Sequence, residues 1–157
     1  MKVIGSRYAQ HFNKTYQRTG TLWEGRHRSS TIDTDNYLLT CYRYVELNPV
    51  RAEMVAGPAE YRWSSYRRNA LGEDSWLTSH SVYDSLGVDD AARRAAYQAL
   101  FERELSASAL AFIRAATHYS QPIGDDQFRR AFADRFKLSL GYMKRGRPQR
   151  AKPMVKN

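Results

Sequence analysis

The sequence predicts an α+β protein that is mainly helical and carries one extended arm. Several long segments place apolar side chains three and four residues apart, which is the spacing of one helical face. Residues 21–32, TLWEGRHRSSTI, instead combine threonine, tryptophan and alternating arginine, a composition typical of a strand or hairpin arm. Hydrophobic residues make up 42% of the 157 residues, enough for a core at this length.

The first half contains three predicted helices. One covers residues 2–17, and Gly20 ends it because glycine adopts a left-handed cap without steric cost. The second covers residues 33–47, starting at two candidate N-cap side chains, an aspartate and a threonine. Pro49 stops this helix, since proline restricts the residue before it and donates no hydrogen bond. Proline also suits the first turn of a short third helix, residues 49–56.

The second half is predicted to be helical after a loop rich in aromatics and arginine. The predicted loop and the four helices that follow it are residues 58–70, then 77–87, 88–105, 107–118 and 125–137. We expect three regions: 1–72, a helical region 73–140 and a basic tail 141–157. The tail has six basic residues and no acidic one, which predicts disorder until it binds a partner.

The charge distribution favours a nucleic-acid partner. The net charge is +9, and residues 111–157 hold eleven basic and three acidic residues. Nucleic acid, anionic membranes and acidic proteins all attract such a surface. No basic helix with a broad aliphatic face is evident, so nucleic acid is preferred. The single cysteine, Cys41, excludes an intramolecular disulfide and a cysteine-rich zinc site. Without a membrane-length apolar run or a leader, we expect a cytoplasmic, nucleoid-associated protein with no membrane partner.

The helix at residues 33–47 has one candidate core stripe. Tyr37, Cys41, Tyr44 and Asn48 follow each other at helical spacing. By this pattern alone, Tyr44 is a buried aromatic residue whose hydroxyl finds a partner, and Asn48 is an N-cap for the next helix. Neither residue by itself indicates catalysis.

The surrounding motifs add a second interpretation. In order, LWEGR, RYVELNPVRA and WSSY closely resemble the REP-associated tyrosine transposases, bacterial single-tyrosine enzymes with a histidine–hydrophobic–histidine metal motif. The resemblance is strong over residues 1–70 and loose beyond them. It implies an α/β sandwich, of which this chain would hold a residual strand and the tyrosine helix. The implied reaction is cleavage and strand transfer of single-stranded or hairpin DNA through a phosphotyrosine.

The resemblance also implies site residues. Tyr44 matches the nucleophile, and Asn48 matches the polar ligand that completes a Mg²⁺ or Mn²⁺ site beside the histidine pair. A phenol is a weak nucleophile at neutral pH, so a metal that polarises the phosphate would assist it. The four histidines, at positions 11, 27, 80 and 118, form no H-x-H pair. We therefore expect this chain alone to bind no metal and to be inactive, whether it is a truncated remnant or its translation starts upstream.

Basic residues complete the predicted DNA interface. A homodimer is a possible further assembly. The candidate DNA-binding residues are Arg26, Arg28, Arg43, Arg51, Arg67, Arg68, Arg129, Arg130, Lys144, Arg145 and Arg147. KRGRP, residues 144–148, resembles an AT-hook core or is a generic basic tail. Residues 107–137 are a helix-turn-helix or a helical hairpin with a basic outer face. EYRWSSYRR suits stacking on unpaired bases, unless Trp63 packs against the tyrosine helix.

Two functions from different classes follow. One is a transposase-family enzyme or a fragment of one, acting on single-stranded or hairpin DNA. The other is a non-catalytic nucleic-acid-binding or regulatory protein that uses the basic C-terminal region.

Overall fold

A computed structural model describes residues 2–25 and 27–141, and helices dominate this part of the chain. A 3₁₀ turn, Pro58–Glu60, precedes the fourth helix. The helices are α1 Lys2–Thr15, α2 Thr34–Glu46, α3 Asn48–Arg51, α4 Tyr66–Leu71, α5 Ser81–Asp84, α6 Asp90–Ala99, α7 Ala107–Tyr119 and α8 Asp126–Phe136. None of these helices is long and apolar enough to cross a membrane.

The predicted α+β sandwich with a residual strand is wrong, since the described residues form a predominantly all-α structure. The described part of the arm contains no strand, since residues 22–25 are bends and residues 27–31 have no regular secondary structure. The Thr21 hydroxyl accepts the Trp23 N–H at 3.1 Å and donates to the Trp23 carbonyl at 2.6 Å. These local hydrogen bonds compete with strand pairing. Within the described residues the arm pairs only at its end, where Ile32 forms an isolated parallel bridge with Ile123.

Helix α1 lies at the periphery. It agrees with the predicted first helix, although it ends at Thr15, well before Gly20. Tyr8 and Phe12 line up along one face, with ring centroids 6.1 Å apart, yet α1 has no buried residue. Trp23 partly covers this face and donates from Nε1 to the Gly5 carbonyl at 3.1 Å.

Helix α2 is central because it packs on two sides. Its first side is the predicted stripe: Tyr37, Cys41 and Tyr44 pack with Ile113 of α7 and with Ile123. The stripe is therefore confirmed as a core face from Tyr37 to Tyr44, whereas its last member, Asn48, is exposed. Cys41 is buried there, and burial raises the pKa of its thiol to about 11, so it stays a neutral packing residue at pH 7.

The second side of α2 was not predicted. Leu39 and Tyr42 pack against a second cluster made of Ala70, Tyr83 and Tyr97. These three buried residues belong to α4, α5 and α6. The same three helices also contact one another, and α5 contacts α2. The core therefore consists of two clusters, one on each side of α2.

Some helix boundaries agree with the local sequence signals and others do not. Helix α2 begins after the predicted N-cap Asp33 and ends just before Pro49, as predicted. The following helix is only four residues long, and its N-cap is Leu47, so the prediction of Asn48 as N-cap is wrong. Helix α4, Tyr66–Leu71, replaces the last part of the segment 58–70 that was predicted to be a loop. Helix α6, Asp90–Ala99, lies inside the predicted helix 88–105 and is capped by Asp89, whose carboxylate accepts the Ala92 N–H at 2.7 Å.

Candidate functional site

Tyr44 is held where α2 meets α7. Its neighbours on the stripe pack into the cluster that contains Ile113, and Tyr44 is itself half-buried against that cluster. Among the described residues, none hydrogen-bonds to the Tyr44 hydroxyl. The ring is thus fixed by packing, while its hydroxyl is free of a described hydrogen-bond partner.

The Arg51 side chain lies over the Tyr44 ring. The break after α2 turns the chain into α3, and this returns the Arg51 side chain over the preceding turn. Its guanidinium carbon lies 4.9 Å from the centroid of the Tyr44 ring, within the range of a cation–π interaction. Its Nη2 donates to the Tyr44 carbonyl and, at 2.6 Å, to Oδ1 of Asn48. Tyr44, Asn48 and Arg51 therefore form one connected group.

This group has a positive electrostatic character. Burial lowers the pKa of the Arg51 guanidinium, Tyr44 opposes that shift, and nearby positive charge on Arg114 of α7 adds to it. Nε of Arg51 is buried without a hydrogen-bond partner among the described residues. None of the ion pairs found within the described residues involves Arg51 or Arg114. Two guanidinium groups that repel each other beside a phenol form a site suited to an anion, and phosphate matches arginine geometry well.

Arg114 was missed by the sequence analysis. It follows Ile113, the α7 residue that packs into the Tyr44 cluster. No signal in the sequence indicates that α7 packs against α2, so Arg114 is found only from the tertiary structure.

Asn48, the expected metal ligand, is hydrogen-bonded to Arg51. The amide oxygen of Asn48, the atom that would coordinate a cation, already accepts the hydrogen bond from Arg51. The histidines at positions 11, 27, 80 and 118 lie on α1, in the arm, at the N-cap of α5 and on α7. Within residues 2–25 and 27–141, no group of three His, Cys, Asp or Glu side chains is arranged to hold a metal ion. The residues present thus do not fit the metal site that the resemblance implies.

Two other predicted DNA-binding arginines connect elements of the fold. Arg28 Nη1 lies 2.7 Å from Nδ1 of His118, which holds the arm against α7. Arg43 donates to the carbonyl of Arg103, and its guanidinium carbon lies 6.0 Å from the centroid of the Phe101 ring. Both side chains bridge segments that are far apart in the sequence.

The arginines of α4 and α8 have mixed surroundings. Arg67 forms an ion pair with Glu73 at 2.6 Å, and Arg68 donates to the Ser79 hydroxyl at 2.9 Å. Arg129 pairs with an aspartate on α8 and lies over an aromatic ring of α7, whereas Arg130 is exposed. Arg26, Lys144, Arg145 and Arg147, and with them the KRGRP motif, lie outside the described residues.

A buried carboxylate at the C-terminal end of α2 was also missed. Glu46 is fully buried and accepts hydrogen bonds from the Tyr97 hydroxyl at 2.8 Å, the Ser65 hydroxyl at 2.5 Å and the Asn69 amide at 3.4 Å. Burial raises the pKa of the Glu46 carboxyl, and these three hydrogen bonds partly oppose the shift. RYVELNPVRA and WSSY, two of the motifs behind the resemblance, thus meet at the Glu46–Ser65 contact.

The sequence and the described residues define a basic, predominantly helical protein in which Arg51 lies over the half-buried Tyr44. Comparison with known proteins finds no matching family model, no matching curated protein and no matching solved structure. The transposase interpretation consequently rests on the sequence motifs alone.

Proposed function

We propose that this chain is a DNA-binding protein of the tyrosine-transposase kind, in which Arg51 and Tyr44 bind a backbone phosphate of single-stranded or hairpin DNA. The observation that carries the proposal is the Arg51 guanidinium 4.9 Å from the Tyr44 ring, with no acidic partner among the described residues. A guanidinium that lacks a carboxylate partner is available to bind an anionic oxygen.

The arrangement is consistent with phosphotyrosine chemistry. In the reaction that the resemblance implies, the phenol oxygen attacks phosphorus, and the bond from phosphorus to the 3′ oxygen breaks. The phenol proton leaves, and the departing 3′ oxygen gains a proton to become a free hydroxyl. Arg51 and Arg114 would stabilise the extra negative charge on the phosphoryl oxygens. Their contribution is electrostatic and positional, so it also applies to binding without cleavage.

We further propose that cleavage is impaired in these 157 residues. The chain contains no H-x-H pair, and the amide oxygen of Asn48 is engaged by Arg51. A phenol with an ordinary solution pKa near 10 is mostly protonated at neutral pH and needs assistance. Arg51 supplies charge but no base, which leaves binding as the supported activity.

The second candidate is a non-catalytic nucleic-acid-binding or regulatory protein that works through its C-terminal region. The exposed Arg130 on α8 favours it. The two candidates differ in which residues affect binding, since the first requires Arg51 and the second does not.

The test combines binding and covalent capture. Purified protein is titrated into a fluorescein-labelled hairpin oligonucleotide, and anisotropy reports affinity at low salt. We expect binding that weakens about fivefold or more in Arg51→Ala, the loss of one charge-assisted phosphate contact. The control is Arg93→Ala, which removes the same charge from an arginine already paired with Asp90. Equal affinities of the Arg51 and Arg93 variants would overturn the Arg51 site and favour the second candidate.

The same samples, given Mn²⁺ or Mg²⁺ and run on a denaturing gel, test cleavage. We expect no covalent protein–DNA adduct. An adduct that forms in the wild type and is lost in Tyr44→Phe would contradict the proposed impairment while supporting the role of Tyr44.

A further inference from the structure

Two tryptophans project into solvent beside one arginine-rich depression. Trp63 is 73% exposed and Trp76 is 92% exposed, although indole is among the largest apolar groups in proteins. The depression has a volume of about 450 Å³, and its lining includes Arg62, Ser64 and Ser75. Each tryptophan thus directly neighbours a lining residue in the sequence. Because both indoles are exposed and adjoin residues of this polar, arginine-lined depression in the sequence, we treat them as candidate stacking groups.

Trp63 offers one open face. The guanidinium carbon of Arg62 lies 4.4 Å from the centroid of the Trp63 ring, which places a positive charge on one face of the indole. The high exposure leaves the opposite face accessible to solvent. The alternative in which Trp63 packs against the tyrosine helix is therefore wrong.

The charge around the depression is positive in balance. Three arginines line it, together with the carboxylates of Glu73 and Asp74. Arg67 is neutralised by its ion pair with Glu73. Arg68 donates to the neutral Ser79 hydroxyl, and Arg62 has no acidic partner among the described residues. Among the described lining residues, the positive charges of Arg62 and Arg68 therefore face the one negative charge of Asp74.

We propose that Trp63 and Trp76 are stacking surfaces for the unpaired bases of single-stranded nucleic acid, with Arg62 and Arg68 beside its phosphates. Every base has a π-face, so an exposed indole stacks on unpaired bases without sequence preference, and a nearby arginine attracts the backbone. Bases inside a duplex are stacked on each other, which disfavours double-stranded DNA here. A protein partner that buries two tryptophans would favour an apolar depression, and this one is polar.

The inference shares one premise with the proposed function, namely that the chain binds nucleic acid. It does not depend on Tyr44 or Arg51, which belong to a different part of the chain. The two sites can therefore fail separately in one set of measurements.

The experiment uses the full chain and a 12-nucleotide oligo(dT), with oligo(U) in a parallel arm and a DNA duplex as competitor. Stacking quenches indole fluorescence, so intrinsic fluorescence reports occupancy and anisotropy reports affinity. We expect Trp63→Ala and Trp76→Ala each to weaken single-strand binding about tenfold. Trp63→Phe retains an aromatic ring and should retain most of the affinity. Both tryptophans are exposed, so circular dichroism should show unchanged folding.

The matched control is Trp23→Ala, because Trp23 is half-exposed but lies against α1 and bonds to Gly5. We expect its affinity for oligo(dT) to equal that of the wild type. Unchanged affinity of both Trp63→Ala and Trp76→Ala would overturn the inference, and so would preference for the duplex. A loss in Arg51→Ala without a loss in the tryptophan variants would leave the proposed function intact and overturn only the stacking surfaces. The reverse pattern would support the stacking surfaces and overturn the Arg51 site.

Discussion

The Tyr97 hydroxyl donates a hydrogen bond to the Glu46 carboxylate at 2.8 Å, and both side chains are fully buried. This contact joins α2 to α6 across 51 positions of sequence. The Tyr83 hydroxyl continues the network by donating to the Asn69 carbonyl at 2.7 Å. Because α2 carries Tyr44 on its other side, the network fixes the helix on which the candidate site is built.

Glu46→Ala should destabilise the fold by about 3 kcal/mol, because it leaves the buried Tyr97 hydroxyl and the partly buried Ser65 hydroxyl without their acceptor and creates a cavity. Urea unfolding followed by circular dichroism measures the change. Glu104→Ala is the control, since Glu104 is exposed and its loss should alter the free energy of unfolding by less than about 0.5 kcal/mol. Equal stabilities of the two variants would contradict a structural role for the network.

Replacing Glu46 should also change how the free energy of unfolding depends on pH. Burial raises the folded-state pKa of Glu46 above the unfolded value, so the folded state retains a proton that the unfolded state has lost. The stabilisation that comes from this retained proton is fully present below the unfolded-state pKa of Glu46, and it is lost as the pH rises through the folded-state pKa. Glu46→Gln removes this titration. The unfolding free energy of the wild type relative to Glu46→Gln should therefore fall from pH 4 to pH 8 in urea titrations, and a constant or rising difference would contradict it.

The sequence predicts local structure better than tertiary structure in this chain. Helix α2 was placed by Asp33 and Pro49, whose effects on the backbone are local. The extended arm was misassigned because a strand depends on a neighbour, and composition alone does not show whether one exists. Helix α4 was missed because the aromatic and arginine residues around Tyr66 hide its period.

In the candidate site, too, residues of one sequence motif were predicted and residues brought together by tertiary packing were not. Tyr44 and Asn48 come from one motif, and Arg51, three residues beyond Asn48, bonds to it. Glu46 was missed because a helical glutamate is usually solvated, although its spacing from Leu39 and Tyr42 matches one helical face. Arg114 comes from a distant helix, and no local pattern locates it.

Gly87→Ala should destabilise the turn between α5 and α6. An added Cβ would lie 2.6 Å from the Arg93 backbone nitrogen and 2.7 Å from the Ala92 carbonyl carbon, and backbone atoms have little room to move. We expect a loss of about 2 kcal/mol, which is typical of overpacking, measured by thermal or urea unfolding. Gly25→Ala is the matched control, because an added Cβ there meets no atom of the described residues within 4 Å. A Gly87 variant as stable as the Gly25 variant would refute the close approach.

Salt dependence should separate the phosphate contact from the stacking contact. Each phosphate neutralised on a single strand contributes about 0.7 to the slope of log affinity against log salt concentration. Arg51→Ala should therefore reduce that slope by about 0.7 on oligo(dT), whereas Trp63→Ala should lower affinity at every salt concentration and leave the slope unchanged. Anisotropy titrations between 50 and 200 mM NaCl, a range over which phosphate contacts change affinity strongly, provide the measurement.

Arg93→Ala is the control for net charge in these titrations, since its guanidinium is paired with Asp90 and its removal should leave the slope as in the wild type. If Arg51→Ala and Arg93→Ala gave the same slope as the wild type, Arg51 would make no phosphate contact. If Trp63→Ala lowered the slope as much as Arg51→Ala, the indole would act by positioning Arg62 against a phosphate, and stacking on a base would be refuted as its main contribution.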